Sequence, residues 1–551
     1  MRNDECRVVN DEAANKVNRS PGFSLITRHS SLITAFVLGA LTVAGFAPFR
    51  IFPLPVITLA GLFALWQGAA GARRAAAIGF AYGLGLFLSG VSWVYVSLHD
   101  FGAMPAPLAA LATLLFCAFL ALLPAAAGLF GSGLHAPPAV RLGIGFPAAW
   151  TLAEWIRGWL FTGFPWLAVG YSQVPSSPLA GYAPVLGIYG VTLATAVTAG
   201  LIVILWQRAT ARHEGGGRRA EGKSETPGKS RSSSLIPRLI LHPSSFVLLA
   251  LWAGGWVSSE IAWTAPVGAP VSVSLLQGNV PQDLKWREER LRPTLEAYRQ
   301  LAERAPGRLI ILPETALPLF LDQVPADYLA ALAARARENG GDLLLGVPER
   351  LPGGAYFNSV VSLGTAPSQA YRKSHLVPFG EFIPLRPVLA GIVSTLAIPL
   401  QDFSRGAEGQ RPLAVAGQRV AVNICYEDAF GEEIIRQLPE ATLLVNVSNV
   451  AWFGRSLAPQ QHLQISQARA LEAGRYMLRA TNTGVTAAID PRGKVVASAP
   501  EFSTATVTLS VLGYSGSTPY VRWGNYAALA LLLAFLVIAR FAGSRRAHSA
   551  G

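Results

Sequence analysis

Eight stretches of this chain are long and apolar enough to call for a lipid bilayer rather than water. They fall at roughly 30–48, 52–70, 75–97, 105–130, 141–160, 181–206, 243–262 and 523–541. A helix of about 20 apolar residues spans the hydrocarbon core and satisfies its own backbone groups there. Composition points the same way: 51% hydrophobic and 14% charged residues, with a mean hydropathy of +0.38, are too apolar for an ordinary soluble enzyme. The first stretch could also be a cleaved leader, but further stretches follow it closely, so a retained anchor is the better reading. The fifth stretch is the least uniform, because it carries Glu154 and Arg157 among aromatics.

The basic residues sort by position. The 1–29 tail holds Arg2, Arg7, Lys16, Arg19 and Arg28. Arg73 and Arg74 join the second and third stretches, and Arg141 opens the fifth. The 207–242 connection holds eight Lys or Arg residues, and Arg540, Arg545 and Arg546 follow the last stretch. The alternate connections, 98–104 and 161–180, contain none. The positive-inside rule therefore places both termini and 207–242 in the cytoplasm, and 263–522 on the opposite side. The expected organisation is a cytoplasmic tail over 1–29, a seven-span membrane domain over 30–262 and an extracytoplasmic domain over 263–522. A last span over 523–541 and a cytoplasmic tail over 542–551 complete it. The net charge of +13 is thus a topology signal, not a nucleic-acid footprint. Gly217 to Ser224, GRRAEGKS, satisfies a P-loop pattern but lacks the preceding strand and following helix that give the pattern its mechanism, so it reads as a basic linker.

Residues 270–513 change character. VSVSLLQGNV, RLIILPET, GDLLLGVPE, FNSVVSLG, RVAVNICYED, ATLLVNVSN, VTAAIDPRGKVVAS and TATVTLSVL read as strands, with helical patterns near 287–304, 325–339 and 459–475. Short apolar strands with intervening helices indicate an α/β domain with buried sheets.

Within that domain the run VAVNICYEDAF ends in Cys425, so a buried strand delivers a thiol to its end. Such a thiol is either an inert core residue or a nucleophile. The other two cysteines are Cys117, in an apolar stretch, and Cys6, in the polar tail; with no paired spacing among the three there is no disulfide framework or zinc site, and no metal is expected. ILPET puts Glu314 at a second strand end, and YRKSHLVPFGEFIP supplies Lys373 and Glu381 around a Pro/Gly-rich loop. Acyl transfer by a thiol needs a proton acceptor and a stabiliser of the tetrahedral oxyanion. Glu314 suits the first task if burial raises its pKa; Lys373 suits the second, with Glu381 orienting it.

The order glutamate, lysine, glutamate, cysteine resembles the carbon–nitrogen hydrolase (nitrilase) superfamily. The whole chain resembles the bacterial apolipoprotein N-acyltransferase family. The likeness includes LLQGNVPQDLKW at 275–286, AEWIRGWLFTGFPWL at 153–167, WFG at 452–454 and RATNTGVTAAIDPRG at 479–493. It implies a polytopic α-helical membrane domain plus a nitrilase-like α-β-β-α sandwich, without cofactor or metal, acting as a monomer in the bacterial cytoplasmic membrane. It implies a ping-pong reaction in which Cys425 takes an acyl chain from the sn-1 ester of a phospholipid, typically phosphatidylethanolamine, as a thioester. The α-amine of a diacylated apolipoprotein then accepts the chain. It implies catalytic Glu314, Lys373 and Cys425 supported by Glu381, with Tyr426 and Glu427 after the nucleophile and Trp286, Trp452 and Phe453 as aromatics near the substrate. The family commonly reads SNDAWFG where this chain reads SNVAWFG, so Val450 replaces an acidic residue. The nearest alternative is a membrane-anchored amidase or hydrolase that passes the acyl group to water. A transporter is disfavoured, because the apolar stretches carry few ionisable residues.

Overall fold

The computed structural model describes residues 21–220, 242–383 and 402–549. Most of the expected N-terminal tail (1–20), residues 221–241 of the basic connection with the second half of GRRAEGKS, and 550–551 of the last tail lie outside the described residues.

Nearly the whole N-terminal half, to residue 260, is helical among the described residues. Helices Pro21–Thr42, Pro53–Gln67, Ala72–Gly90, Ala106–Gly133, Phe146–Arg157, Ala183–Ala220 and Pro243–Glu260 follow one another, and Tyr526–Ser549 closes the chain. Ala106–Gly133 and Pro178–Thr210 are each long and apolar enough to cross a bilayer alone. Ala72–Gly90 and Trp93–Phe101 reach that length only as a pair bent by 49°. Ser30–Gly45, Pro53–Gln67 and Tyr526–Ala542 are apolar but shorter, below the roughly 20 residues an upright span needs. The expected fifth span is a continuous helical run from Pro138 to Arg157 with a π-turn at Arg141–Gly145. Its buried Glu154 and Arg157 raise its polarity.

These helices pack through small residues, which let their backbones approach closely. A Cβ on Gly85 would lie 2.0 Å from the Phe36 carbonyl oxygen, and one on Gly79 would lie 2.3 Å from that of Pro124. Three neighbouring helices are also joined by polar contacts: Thr42 Oγ1 lies 2.6 Å from the Tyr82 hydroxyl and 2.8 Å from Thr58 Oγ1.

From residue 264 the chain forms two six-stranded sheets. The strands are β1 (Thr264–Gln277), β2 (Leu309–Ile311), β3 (Asp342–Arg350), β4 (Tyr356–Gly364), β5 (Ala370–Arg372), β6 (Leu413–Val415), β7 (Gln418–Ile424), β8 (Leu443–Ser448), β9 (Met477–Thr481), β10 (Ala487–Ile489), β11 (Val495–Ser498) and β12 (Ala505–Gly516). One sheet has the order β12-β1-β2-β3-β4-β5 and the other β11-β10-β9-β8-β7-β6. Side-chain alternation explains the layering. Leu309, Ile311, Val420, Val422, Ile424, Val445 and Val447 meet in one cluster between the sheets. Ile310 and Leu343 instead face outward towards Leu295 and Leu329 on helices Glu288–Arg304 and Ala326–Glu338. Ala421 and Leu444 face outward to Leu463 and Ala470 on helix Ala458–Ala473. The result is the expected α-β-β-α sandwich. Each fully buried Val, Leu or Ile contributes about 1.5–3 kcal/mol, and runs buried on both faces repeat that gain along the strand.

Helix Ala458–Ala473 docks the sandwich onto the helical region with three glutamines. Gln461 Oε1 accepts from the indole N–H groups of Trp93 (3.2 Å) and Trp166 (2.7 Å), and its amide donates to the Gly90 carbonyl (3.1 Å). Gln464 accepts from Ala47 N (2.9 Å) and donates to the Val174 carbonyl (3.1 Å). Gln467 accepts from Arg50 (3.2 Å). Around these bonds Ala458, Ile465 and Ala468 join one apolar cluster with Trp93, Trp166 and Tyr171.

Candidate active site

Three chain segments converge at one end of the sandwich. Glu314 follows β2, Lys373 directly follows β5, and Cys425 directly follows β7. Glu314, Lys373 and Glu381 are all buried, Lys373 at 1% exposure. Lys373 Nζ lies 2.8 Å from Glu381 Oε1 and 3.6 Å from Glu314 Oε1. The second Glu381 oxygen accepts the Val377 N–H at 2.8 Å, which closes the lysine loop on itself. The second Glu314 oxygen accepts the Asn449 N–H at 2.7 Å.

Cys425 adopts φ +53°, a left-handed conformation that a non-glycine residue takes only when its surroundings hold it. It ends the alternation of β7 and starts a short 3-10 turn, Cys425–Ala429. Two donors grip its carbonyl: Asn446 Nδ2 at 3.1 Å and His462 Nε2 at 3.2 Å. His462 Nε2 also lies 2.7 Å from Asp428 Oδ1, and Arg479 contacts Asp428 Oδ2 (3.2 Å) and Asn446 Oδ1 (2.6 Å). Both groups facing Nε2 are acceptors, so that nitrogen carries the proton.

Electrostatics divide the labour. Burial pushes the Cys425 thiol up, Glu314 adds to that, and Lys373 offsets it only in part. The resting sulfur is therefore a thiol, and chemistry on it needs a base. Burial opposes the charge on Lys373, but the neighbouring carboxylates of Glu381 and Glu314 more than compensate, so its pKa is raised and it stays an ammonium. A protonated thiol, a neighbouring carboxylate and a fixed cation can together run thiol acyl transfer.

Residues 38–201 match the apolipoprotein N-acyltransferase N-terminal domain family, and residues 272–519 match the carbon-nitrogen hydrolase family. An apolipoprotein N-acyltransferase of Nitrosomonas europaea is 51% identical over 523 residues, covering 94% of this chain and 98% of that protein. One from Chromobacterium violaceum is 44% identical, covering 94% of each chain, and one from Methylococcus capsulatus is 44% identical, covering 94% and 97%. The chain belongs to the apolipoprotein N-acyltransferase family.

In this apolipoprotein N-acyltransferase family member, Glu427 is a clamp. Its carboxylate accepts from the backbone N–H of Ile424 (2.7 Å), Ser374 (2.7 Å) and His375 (3.1 Å) and from the Tyr371 hydroxyl (3.1 Å). It ties the cysteine turn to the lysine loop. Tyr426 points to the helical region, where its hydroxyl donates to the Gly163 carbonyl at 3.0 Å and its ring stacks on Trp166 at 6.4 Å. Phe453 packs on Trp93 at 4.6 Å and Trp452 on Phe101 at 6.3 Å, so both lie where the sandwich meets the bent helix pair. Trp286 sits 37% exposed, on the segment after β1. Val450 is buried against Gly484 at the start of the 3-10 turn Val450–Phe453. An apolar contact thus stands where the family's acidic residue was expected.

The sequence reading missed several members of the site. Asn358, buried in β4, donates to both Glu314 Oε1 (2.7 Å) and Glu381 Oε1 (3.0 Å). A buried amide inside the apolar run FNSVVSLG was its available signal. Asn449 and Arg479 lie in the quoted SNVAWFG and RATNTGVTAAIDPRG stretches, but their roles, like that of His462, rest on partners distant in sequence. Lys285, next to the expected Trp286, is 2% exposed. Glu154 and Arg157, the ionisable pair in the family-like AEWIRGWLFTGFPWL stretch, hold the loop beneath Tyr426: Arg157 donates to the carbonyls of Phe164 (2.6 Å) and Trp166, and Glu154 accepts the Val169 N–H (2.9 Å).

Proposed function

We propose that the protein transfers an acyl chain from the sn-1 position of a phospholipid, phosphatidylethanolamine, through a Cys425 thioester to the α-amine of S-diacylglyceryl-cysteine apolipoproteins. Glu314 takes the thiol proton as Sγ attacks the ester carbonyl, and the tetrahedral oxyanion forms beside the Lys373 ammonium. Collapse breaks the bond to the glycerol oxygen, which takes the proton back from Glu314 and leaves as lysophospholipid. The acceptor's neutral amine then attacks the thioester carbonyl, gives a proton to Glu314 and expels the thiolate, which is reprotonated. Glu381 and Glu427 hold the lysine and cysteine loops in register.

The observation that carries this reading is the meeting of Glu314 and Lys373 with a left-handed Cys425 whose neighbour Tyr426 is bonded to Gly163 of the helical region. Both substrates carry acyl chains held in a bilayer, so a thiol one residue from a contact with the apolar helical region suits them. The basic loops and the Lys/Arg-free 98–104 and 161–180 segments support eight spans with cytoplasmic termini and an extracytoplasmic sandwich in the bacterial cytoplasmic membrane. The scheme draws every group from one chain, in keeping with a monomer.

Intact-mass spectrometry after incubation with phosphatidylethanolamine tests the scheme. The wild type should gain one acyl adduct that Cys425→Ala lacks and that a diacylated lipopeptide discharges. Discharge by water at the same rate, with the lipopeptide unmodified, would make the protein a membrane-anchored hydrolase.

A further inference from the structure

Lys285 is a buried cation that the acyl-transfer scheme leaves unused. The segment 279–285 that carries it is stapled to the site from two sides. Val280 N donates to Asn482 Oδ1 at 2.9 Å, and Asn482 Nδ2 returns a bond to the Val280 carbonyl at 2.7 Å. Gln282 Oε1 accepts from Asn449 Nδ2 at 2.8 Å, and the Asn449 backbone N–H is the one bound to Glu314. Lys285 is only 2% exposed, and its ammonium, which has no hydrogen bond or ion pair among the described residues, is not one of the fully enclosed unpartnered atoms, so it keeps a small opening through which a ligand can reach it. Burial pulls its pKa down to about 8, and Glu314 opposes the fall. Glu314 is already engaged by Asn358, Asn449 and Lys373. A buried ammonium without a partner is costly unless a ligand brings the counter-charge. The acyl donor brings one: its phosphodiester lies one glycerol unit from the ester that Cys425 attacks.

We propose that Lys285 is a donor-recognition residue that receives the anionic phosphodiester of the acyl donor beside the Glu314–Cys425 centre. This inference rests on the acyl-transfer reading above. A Lys285 that merely balances the charge of Glu314 would affect every ester donor alike.

Single-turnover formation of the acyl-enzyme, followed by intact mass, separates these roles. Wild-type protein and Lys285→Met are each given phosphatidylethanolamine or the matching diacylglycerol, which lacks the phosphate. The wild type should acylate at least tenfold faster from the phospholipid, and Lys285→Met should lose that preference. An equal fall with both donors, or a preserved preference, overturns the proposal. No adduct on the wild type from either donor overturns the acyl-transfer reading itself. A diether phospholipid, which cannot donate, should compete against wild-type acylation at least tenfold better than the diether glycerol. Equal competition overturns the proposal even if the variant fails to fold.

Discussion

Glu427 accepts the backbone N–H of Ser374 at 2.7 Å, so the residue two after the nucleophile holds the residue one after the lysine. Together with its bonds to Ile424, His375 and Tyr371, this makes the separation of thiol and ammonium a property of one side chain. Glu427→Ala strands several buried donors, each costing about 1–3 kcal/mol. The expected outcome is a lower melting temperature and acyl-enzyme formation slowed by about a hundredfold or more, the scale of a misplaced catalytic group. Glu427→Gln keeps the shape and should fall between; rates equal to wild type in both variants would remove the clamp from the argument.

Asn358 gives one amide to two carboxylates. Replacing it with Leu leaves Glu314 and Glu381 facing each other across Lys373 without a shared donor. Acylation should slow by about 10- to 100-fold, with its pH profile displaced, on the scale of a disturbed general base. Asn358→Asp adds a third negative charge and should be worse; kinetics of both variants from pH 6 to pH 9 check the order.

Gln461 joins the two halves of the molecule through Trp93, Trp166 and Gly90. Gln461→Ala removes all three bonds in a buried place; Trp93 and Gly90 keep their own bond at 3.1 Å, so the stranded group is the Trp166 N–H, at a cost of about 1–3 kcal/mol. Thermal unfolding in detergent should shift down, and limited proteolysis should cut between the helical region and the sandwich earlier than in the wild type. Unchanged cleavage would mean that apolar contacts alone hold the dock.

The network beneath Cys425 predicts an acid-sensitive fold. Burial, and then Arg479, lower the pKa of His462 below its ordinary 6.5, with Asp428 opposing. The unfolded chain therefore takes up that proton first. Stability is complete above pH 6.5 and declines as pH falls through the window down to the folded value, by at most about 1.4 kcal/mol per pH unit. Asp428 acts lower: burial raises its pKa, but His462 and Arg479 outweigh that, so its contribution is lost only below 3.8. Melting temperatures measured from pH 8 to pH 5 should fall in the wild type and stay flatter in His462→Gln. Parallel slopes would assign the acid response elsewhere.

The sandwich was legible because its long strands are apolar runs bounded by turn residues, and β1, β3, β4, β7, β8 and β12 lie where those runs lie. The strands overlooked had weaker signals. β5 and β6 are three residues long, and β9, MLRAT, carries a buried Arg479 that the distant Asp428, Asn446 and Ser466 make tolerable. Cys425, Glu314 and Lys373 were legible because strand-end chemistry sits in compact motifs. His462 was not, since its meaning lies in partners brought near by folding, and Lys285 was not, since only folding buries it. The helical region was harder again. Length and hydropathy describe single helices, whereas Gly79, Gly85 and the Thr42–Tyr82 contact show stability arising between them.

The glutamines of helix Ala458–Ala473 also impose an order on how the protein is made. Gln464 meets Ala47 across 417 residues of sequence, and Gln461 meets Gly90 across 371. During synthesis the helices that present Ala47, Gly90 and Trp93 leave the ribosome long before the side chains that complete them. Their docking surface must wait uncovered until almost the whole sandwich has been translated. Biogenesis of this chain therefore ends, rather than begins, with the joining of its two halves, and a ribosome stalled before Gln461 leaves a helical fragment with an open polar seam.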